Sequence, residues 1–192
     1  MRLKEKEDKP EVHAENILAE IRFEYFPSYK LAGMAEPWAM KVNRTLQLLK
    51  ENGIGAILTL TEDDLYGKKY LRAGLLHHHE PIEDCEPPTV EAMDRAIRFI
   101  DSCIAQNRAV AVHCLEGRGR TGVVLAAWVG LKESLDAAQA VERVYKGRRE
   151  CVITPSQRDF LQKYLNGKNN LPEINAQITP ETRAKQSGRK KE

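Results

Sequence analysis

Short apolar runs and longer amphipathic segments alternate along the middle of the chain. Three short runs predict strands: AILTL at 56–60, GLLHHHEPI at 74–82 and AVAV at 109–112. Strands that alternate with helices along a chain are typical of α/β folds. We therefore expect a central mixed sheet of about four to five strands, flanked by helices in a single domain.

Several longer segments have the periodicity or the end signals of helices. Residues 39–53 and residues 89–107 each place their apolar side chains on one helical face. Residues 121–131 are apolar on nearly all sides, which predicts a helix buried inside the domain. Two further helices are expected, one from Ser134 to Lys146 and one that opens at residues 154–157.

The two ends of the chain lack this patterning. Residues 1–20 are mostly charged with few apolar anchors, which predicts an N-terminal arm that is only partly ordered. Residues 167–192 are polar and basic, which predicts a disordered tail. The core-forming domain is therefore expected over residues 21–166, a length that suits one domain.

Composition narrows the possible partners and the cell compartment. The 30 basic and 28 acidic residues leave a formal net charge of +2, which gives no reason to expect stable nucleic-acid binding. No segment is apolar enough for a membrane span and none resembles a signal peptide, so we expect a cytosolic protein. The four cysteines are widely spaced and form no C-x-x-C pair, which predicts reduced thiols rather than a zinc site.

The densest chemistry lies in HCLEGRGRTG at residues 113–122, between a predicted strand and the predicted buried helix. A glycine-rich loop before a helix exposes several backbone N–H groups, and the helix dipole there favours negative charge. The layout therefore predicts a phosphate-binding loop between a central strand and a buried helix. A Walker A loop is excluded because Gly-Lys-Ser/Thr does not occur in the stretch.

A dinucleotide-binding loop is a second possibility, because Gly117, Gly119 and Gly122 satisfy G-x-G-x-x-G. That motif requires an acidic residue about 20 residues later, at the end of a second strand. The acidic residue at this spacing, Glu142, lies inside a helical pattern instead. A third kind of loop explains more of the stretch, since Arg120 can grip a tetrahedral oxyanion while the Cys114 sulfur lies beneath it. The same N–H groups and helix terminus favour the thiolate, which makes Cys114 a candidate nucleophile.

HCLEGRGRT matches the H-C-x5-R-S/T signature and so resembles the cysteine-dependent protein tyrosine and dual-specificity phosphatases. YKLAGMAEP, ILTLTED, PIEDCEPPT and TPSQRDF are similar to stretches of small atypical dual-specificity phosphatases. The resemblance implies the phosphatase fold, a cysteinyl-phosphate intermediate, no metal or other cofactor, and a phosphorylated protein or peptide as substrate. Inorganic phosphate would be the product and a weak inhibitor. The implied substrate-binding residues are Leu115, Glu116, Gly117, Arg118, Gly119 and Arg120.

The resemblance also implies a general acid in the loop after the second predicted strand. Asp84 occupies the matching position in PIEDCEPPT, and Glu83 and Glu86 are its local rivals. A positioned carboxyl group that protonates the leaving oxygen typically contributes 10²–10⁴-fold to such a reaction. Cys85, beside this residue, is a candidate for a reversible disulfide with Cys114 under oxidation.

Three polar residues have both a functional and a structural interpretation. His113 is expected to organise the loop by hydrogen bonding, which a satisfied buried histidine would also do. Thr121 is expected either to donate its hydroxyl to the thiolate or to cap the helix. Gln157 either orients the attacking water, as the resemblance implies, or belongs to a capping box that Thr154 opens.

Arg118 leaves the substrate class open. Its extra cation could favour a polyanion such as a phosphoinositide, an inositol phosphate or an RNA 5′ end, whereas Glu116 opposes that field. The simplest interpretation is a salt bridge between these two residues at the rim of the loop. A phosphate-binding module without catalysis, a dinucleotide-binding oxidoreductase and a rhodanese-like sulfur carrier remain alternatives of other classes. The run His77–His79 is interpreted as structural rather than metal-binding, because neighbouring strand residues point to opposite faces.

Overall fold

The computed structural model of the protein describes residues 16–151 and 153–169. Most of the predicted arm (1–20) and tail (167–192) lies outside these residues, and only 16–20 and 167–169 are described, as helix. Within the described part of the chain, no helix is long and apolar enough to cross a bilayer.

Helices and strands alternate through most of the described chain. In chain order the elements are α1 (described over 16–20), β1 (Glu24–Phe26), a 3-10 turn (Pro27–Tyr29), β2 (Leu31–Ala35), α2 (Val42–Glu51), β3 (Ile54–Thr59), α3 (Gly67–Arg72), β4 (Leu76–His79), α4 (Val90–Ala105), β5 (Ala109–Cys114), α5 (Gly119–Glu133), α6 (Ala137–Gly147) and α7 (Pro155–Asn169). The predicted α/β domain with a mixed sheet is confirmed.

The five strands of the described chain form one sheet in the order β1-β2-β5-β3-β4. β1 pairs antiparallel with β2, whereas β2, β5, β3 and β4 run parallel to one another. The four parallel strands therefore end at the same edge of the sheet, with β5 in the centre. In open α/β sheets this carboxyl edge is where ligands bind.

Side chains of β5 alternate between two separate apolar cores. Val110 and Val112 belong to the core formed with α4, α5, α6 and α7, and Ala109 and Ala111 belong to the core formed with α2 and α3. The sheet thus lies between two helical layers. Helix α5 is buried along residues 120–130, which confirms the helix predicted from its uniformly apolar sequence.

Some element bounds differ from the sequence prediction for local reasons. Helix α6 begins at Ala137 and not at Ser134, because Ser134 adopts a left-handed conformation (φ 55°) that ends α5. Asp136 then caps α6 through a reciprocal capping box with Gln139. β4 covers only four of the nine residues in the predicted second strand. The hydrophobic pattern did not identify β1, β2 or α3.

Candidate active site

The loops that follow the parallel strands meet at the carboxyl edge of the sheet. They enclose a cavity of about 220 Å³, which also contacts the start of α7. Its lining residues are Asp84, Cys85, Cys114, Glu116, Arg118, Gly119, Arg120, Thr154 and Gln157. The fold therefore brings the predicted nucleophile, phosphate-binding arginine and general acid to one place.

The nucleophile candidate lies where the central strand meets the phosphate-binding loop. Cys114 is the last residue of β5 and is 3% exposed, and α5 begins five residues later at Gly119. Between them Gly117 has a φ of +71°, and a Cβ atom at this position would collide with the carbonyl of Met34. The tight loop therefore needs glycine both for its backbone conformation and for its close approach to β2.

Donors outside the loop hold three successive carbonyl groups of the loop. The bonds are Glu36 N–H to Leu115 O at 3.1 Å, Arg22 Nη1 to Glu116 O at 3.3 Å, and Arg148 Nη2 to Gly117 O at 2.8 Å. The C=O and N–H of a trans peptide point in opposite directions, and every described peptide is trans. The N–H groups of residues 116–118 therefore point away from these donors.

The guanidinium of Arg120 is buried and oriented by two carboxylates. Nη1 donates to Glu62 Oε2 at 2.7 Å and to the Ile82 carbonyl at 2.9 Å, and Nη2 lies 2.7 Å from Asp84 Oδ1. Burial disfavours the charged form, but Glu62, Cys114 and Asp84 outweigh it and raise the pKa of Arg120. Within the described chain Nε is buried without a hydrogen-bond partner, so this donor is available for an oxyanion.

Asp84 is the best placed of the three candidate acids. Its carboxylate contacts Arg120, and its backbone N–H donates to Glu62 Oε1 at 2.9 Å. The side chain is 64% exposed, so it can exchange protons with solvent. Glu83 and Glu86 do not line the cavity, although the Glu86 carbonyl accepts a hydrogen bond from Gln157. The geometry therefore favours Asp84 over its rivals.

His113 is held on the opposite face of β5 from the cavity. Nδ1 donates to the Cys114 carbonyl at 3.4 Å, so Nε2 accepts from the hydroxyls of Thr59 at 2.9 Å and Tyr70 at 3.2 Å. Complete burial lowers the pKa of His113 to about 4, which keeps the ring neutral near pH 7. These contacts support an organising role and not proton transfer to substrate.

The side chain of Thr121 has no hydrogen bond in the described chain, whereas that of Gln157 is hydrogen-bonded. Thr121 lies in the first turn of α5, where Arg118 is the N-cap, and its buried hydroxyl has no hydrogen-bond partner in the described chain. Gln157 Oε1 accepts from Thr154 N–H at 3.0 Å, while Thr154 Oγ1 accepts from Gln157 N–H at 3.2 Å. The predicted capping box is confirmed, and both ends of the Gln157 amide are bonded to backbone.

The predicted salt bridge between Glu116 and Arg118 is wrong. Glu116 Oε2 lies 3.1 Å from Arg22 Nη1, and Arg118 Nη2 lies 2.8 Å from Glu150 Oε2. Both partners come from segments far away in sequence, so spacing within the loop contains no information about them. Arg118, which lines the cavity, and Arg22, which contacts the loop, therefore each have a carboxylate beside them.

The remaining candidates have simple structural surroundings. His77 Nε2 lies 3.0 Å from Thr59 Oγ1, and His79 Nε2 donates to the Thr61 carbonyl at 2.7 Å. Among the residues that the structure describes, no cluster of three or more His, Cys, Asp or Glu could hold a metal ion. Cys85 and Cys114 line the same cavity as free thiols, and a disulfide between them stays a prediction.

Sequence reasoning missed the residues that support the site from other segments. Glu62 orients Arg120, and Arg22 and Arg148 hold carbonyl groups of the loop. Glu62 lies in the quoted stretch ILTLTED, so the resemblance offered a signal for it. No local pattern distinguishes Arg22 or Arg148 from the other basic residues of the chain.

Comparisons with known proteins identify relatives of the chain. A family described as "Polymorphic toxin system, DSP-PTPase phosphatase" matches residues 32–132, just over half of the chain. The uncharacterized protein MJECL20 of Methanocaldococcus jannaschii is 42% identical over 86 residues, which cover 44% of this chain and 56% of that protein. The dual specificity protein phosphatase CDC14C of Homo sapiens is 30% identical over 118 residues, 62% of this chain and 26% of that protein.

These matches cover only parts of the relatives, since the chain spans about half of the archaeal protein and a quarter of the human one. Among solved structures, PTPMT1 in complex with PI(5)P is similar with a TM-score of 0.64 at 21% identity. The similarity covers 79% of this chain and 96% of that one, which shows a shared fold.

Proposed function

Because the chain belongs to the DSP-PTPase phosphatase family, we propose that it hydrolyses phosphomonoesters on phosphorylated proteins or peptides through a cysteinyl-phosphate. The substrates would be phosphotyrosine, phosphoserine or phosphothreonine residues, and no metal ion or other cofactor would be needed. The observation that carries this proposal is a single cavity lined by Cys114, Arg120 and Asp84.

The first chemical step transfers the phosphoryl group to sulfur. The Cys114 thiolate attacks phosphorus, an S–P bond forms, and the P–O bond to the leaving group breaks in line. Arg120 and the N–H groups of residues 115–120 hold the other phosphoryl oxygens, on which charge is spread in the transition state. Asp84, in its protonated form, gives its proton to the leaving oxygen.

The second step returns the enzyme to its starting state. Water attacks phosphorus and the S–P bond breaks, while the Asp84 carboxylate takes a proton from that water. The buried Thr121 hydroxyl, which has no partner elsewhere in the described chain, can donate to the departing thiolate. Gln157 lines the cavity and is a candidate to position the water, although its amide also bonds to backbone. Inorganic phosphate leaves and competes weakly with substrate.

A lipid or other polyanionic phosphomonoester is the second candidate substrate. The similarity to PTPMT1 with bound PI(5)P favours it. Arg118, which lines the cavity, and Arg22, which contacts the cavity residue Glu116, also favour it. Against it, Glu150 and Glu116 lie beside these two arginines and offset their positive charge. We therefore place phosphorylated protein first. A cytosolic location and the lack of stable nucleic-acid binding stay predictions from the sequence.

Hydrolysis of para-nitrophenyl phosphate in the presence of EDTA tests the mechanism. We expect the wild type to turn over without added metal and Cys114→Ser to be inactive. Asp84→Asn should lower kcat by about 10²–10⁴-fold at the pH optimum, because the leaving oxygen then departs without a proton. Glu83→Gln is the matched control, because Glu83 is adjacent in sequence but does not line the cavity.

The competing functions give different results in the same assay. Activity that persists in Cys114→Ser, or that disappears with EDTA and returns with metal, would contradict the thiolate mechanism. An inactive wild type that still binds inorganic phosphate would indicate a non-catalytic phosphate-binding module. Binding of a nicotinamide dinucleotide, or transfer of sulfane sulfur, would instead identify an oxidoreductase or a sulfur carrier.

A further inference from the structure

Arg148 is the largest of the fully buried side chains in the described structure. It lies at the end of α6, and its exposed fraction is 0%. Within the described chain it has no carboxylate partner, in contrast to Arg22, Arg118 and Arg120. Burying a charge without a partner of opposite charge costs free energy. The presence of Arg148 at this position therefore indicates that its charge or its N–H donors have a function.

The guanidinium of Arg148 joins the phosphate-binding loop to the strand beside it. Nη1 donates to the carbonyls of Gly33 in β2, at 3.0 Å, and of Arg22, and Nη2 donates to the Gly117 carbonyl at 2.8 Å. Gly33 allows this approach, because a Cβ atom there would lie 3.1 Å from Arg148 Nε. One side chain thus fixes the loop relative to the sheet.

The bond to Gly117 also fixes the orientation of the next N–H group. The peptide between Gly117 and Arg118 is trans, so its N–H points away from Arg148. Arg118 lines the cavity, and its N–H is one of the donors proposed for the phosphoryl oxygens. If this peptide rotated, a carbonyl oxygen would face the anion in place of the N–H.

Arg148 stays charged although it is buried. Burial lowers the pKa of Arg148, but a guanidinium keeps its proton in proteins. The hydrogen bonds that it donates to the three carbonyls are therefore charge-assisted, which makes them stronger than bonds between neutral groups.

We propose that Arg148 is a positioning residue for the phosphate-binding loop, where its hydrogen bond to the Gly117 carbonyl orients the Arg118 N–H toward the phosphoryl group. This proposal rests on the proposed function for its consequence in catalysis. It can be measured without turnover, as the affinity for inorganic phosphate.

Two variants separate the hydrogen bonds from the charge. Arg148→Met removes both, and we expect phosphate binding by calorimetry to weaken about tenfold or more. Arg148→Lys keeps a positive charge but loses the paired donors of the guanidinium, so phosphate binding should stay weak. Wild-type phosphate affinity in Arg148→Lys would show that the charge alone is sufficient, and it would contradict an orienting role for the hydrogen bonds.

Arg143→Met is the matched control, since Arg143 belongs to the same helix but pairs with Glu133 far from the loop. Thermal unfolding of all variants measures any general loss of stability. The proposal is overturned if Arg148→Met lowers stability but, in the folded protein, binds phosphate as Arg143→Met does. The proposed function fails separately, if the wild type binds phosphate and Arg148→Met binds it weakly, but the wild type hydrolyses no phosphomonoester.

Discussion

Single residues of the candidate active site depend on partners that come from other loops. Arg120 is oriented by Glu62 after β3 and contacts Asp84 after β4, and both distances are 2.7 Å. His113 is oriented by two hydroxyls on the other face of β5. The residue types in the signature therefore indicate the chemistry, while their geometry depends on side chains outside it.

The buried ring of His113 predicts a pH-dependent stability. Its pKa is about 4 in the folded protein, below the unperturbed value of about 6.5, so between these pH values the unfolded chain binds more protons. The free energy of unfolding should therefore fall as the pH drops from about 6.5 toward about 4, by at most about 1.4 kcal/mol per pH unit from this residue. Urea denaturation at a series of pH values measures the slope.

His113→Asn should make this slope smaller without removing it. Burial also lowers the pKa of His77, so that residue contributes in the same direction. The double variant His77→Asn/His113→Asn should have the smallest slope of the set. A slope that is equal in wild type and double variant would contradict the neutral, buried state of these rings.

At the scale of elements, the catalytic loop depends on how closely β5, α5 and β2 approach one another. Gly117 combines a positive φ with a position directly against the backbone of Met34. Gly53, at the end of α2, has a similar φ of +81° but no heavy atom within 4 Å of the place of a Cβ. The two glycines therefore have similar backbone conformations, but only Gly53 has room for a side chain.

Alanine substitution at these two positions separates the cost of backbone strain from the cost of a steric collision with β2. Gly53→Ala should cost about 1 kcal/mol of stability and leave activity unchanged, because only the backbone conformation is disfavoured. Gly117→Ala should cost more than Gly53→Ala and reduce kcat/KM strongly, because the loop must also move away from β2. Urea denaturation and steady-state assays compare them. Equal losses of stability, with activity retained in Gly117→Ala, would contradict the close approach.

At the scale of the whole molecule, the parallel order of β2, β5, β3 and β4 gathers separate segments at one edge of the sheet. The same arrangement sets the charge around the cavity, where Glu116 and Glu150 lie beside Arg22 and Arg118. An electrostatic field around a cavity changes how fast charged substrates associate, and it has less effect on the chemical step.

Removing both rim carboxylates should shift the choice of substrate. In Glu116→Gln/Glu150→Gln the arginines Arg22 and Arg118 lose their partners, and kcat/KM for a phosphoinositide in vesicles should rise about tenfold relative to a phosphotyrosine peptide. Glu51→Gln/Glu142→Gln removes two negative charges elsewhere and should leave this ratio unchanged. An equal rise in both double variants would show that net charge, and not the rim, determines the preference.

Much of the site was predictable because its chemistry is local in sequence. Cys114 and Arg120 flank one short loop, and a glycine-rich turn before a buried helix indicates anion binding by itself. The uniformly apolar α5 and the capping box at Thr154 were likewise predictable, because burial and capping depend on neighbouring residues. The choice of Asp84 as the candidate general acid required the resemblance, since a loop carboxylate has no local signature of that role.

The remaining features depend on contacts between distant segments, which only the tertiary structure decides. β1 has only three residues, and β2 is buried at all five positions and so shows no alternation of apolar and polar residues. The pairing of β1 with β2, and of β2 with β5, depends on long-range hydrogen bonds. Glu62, Arg22 and Arg148 are ordinary charged residues in the sequence and become parts of the site only when the sheet brings their loops together. The sequence alone determined the candidate reactive groups, because these are properties of residue types at short spacing. Their orientation was decided by the fold, because hydrogen bonds and burial form between segments that the chain order keeps apart.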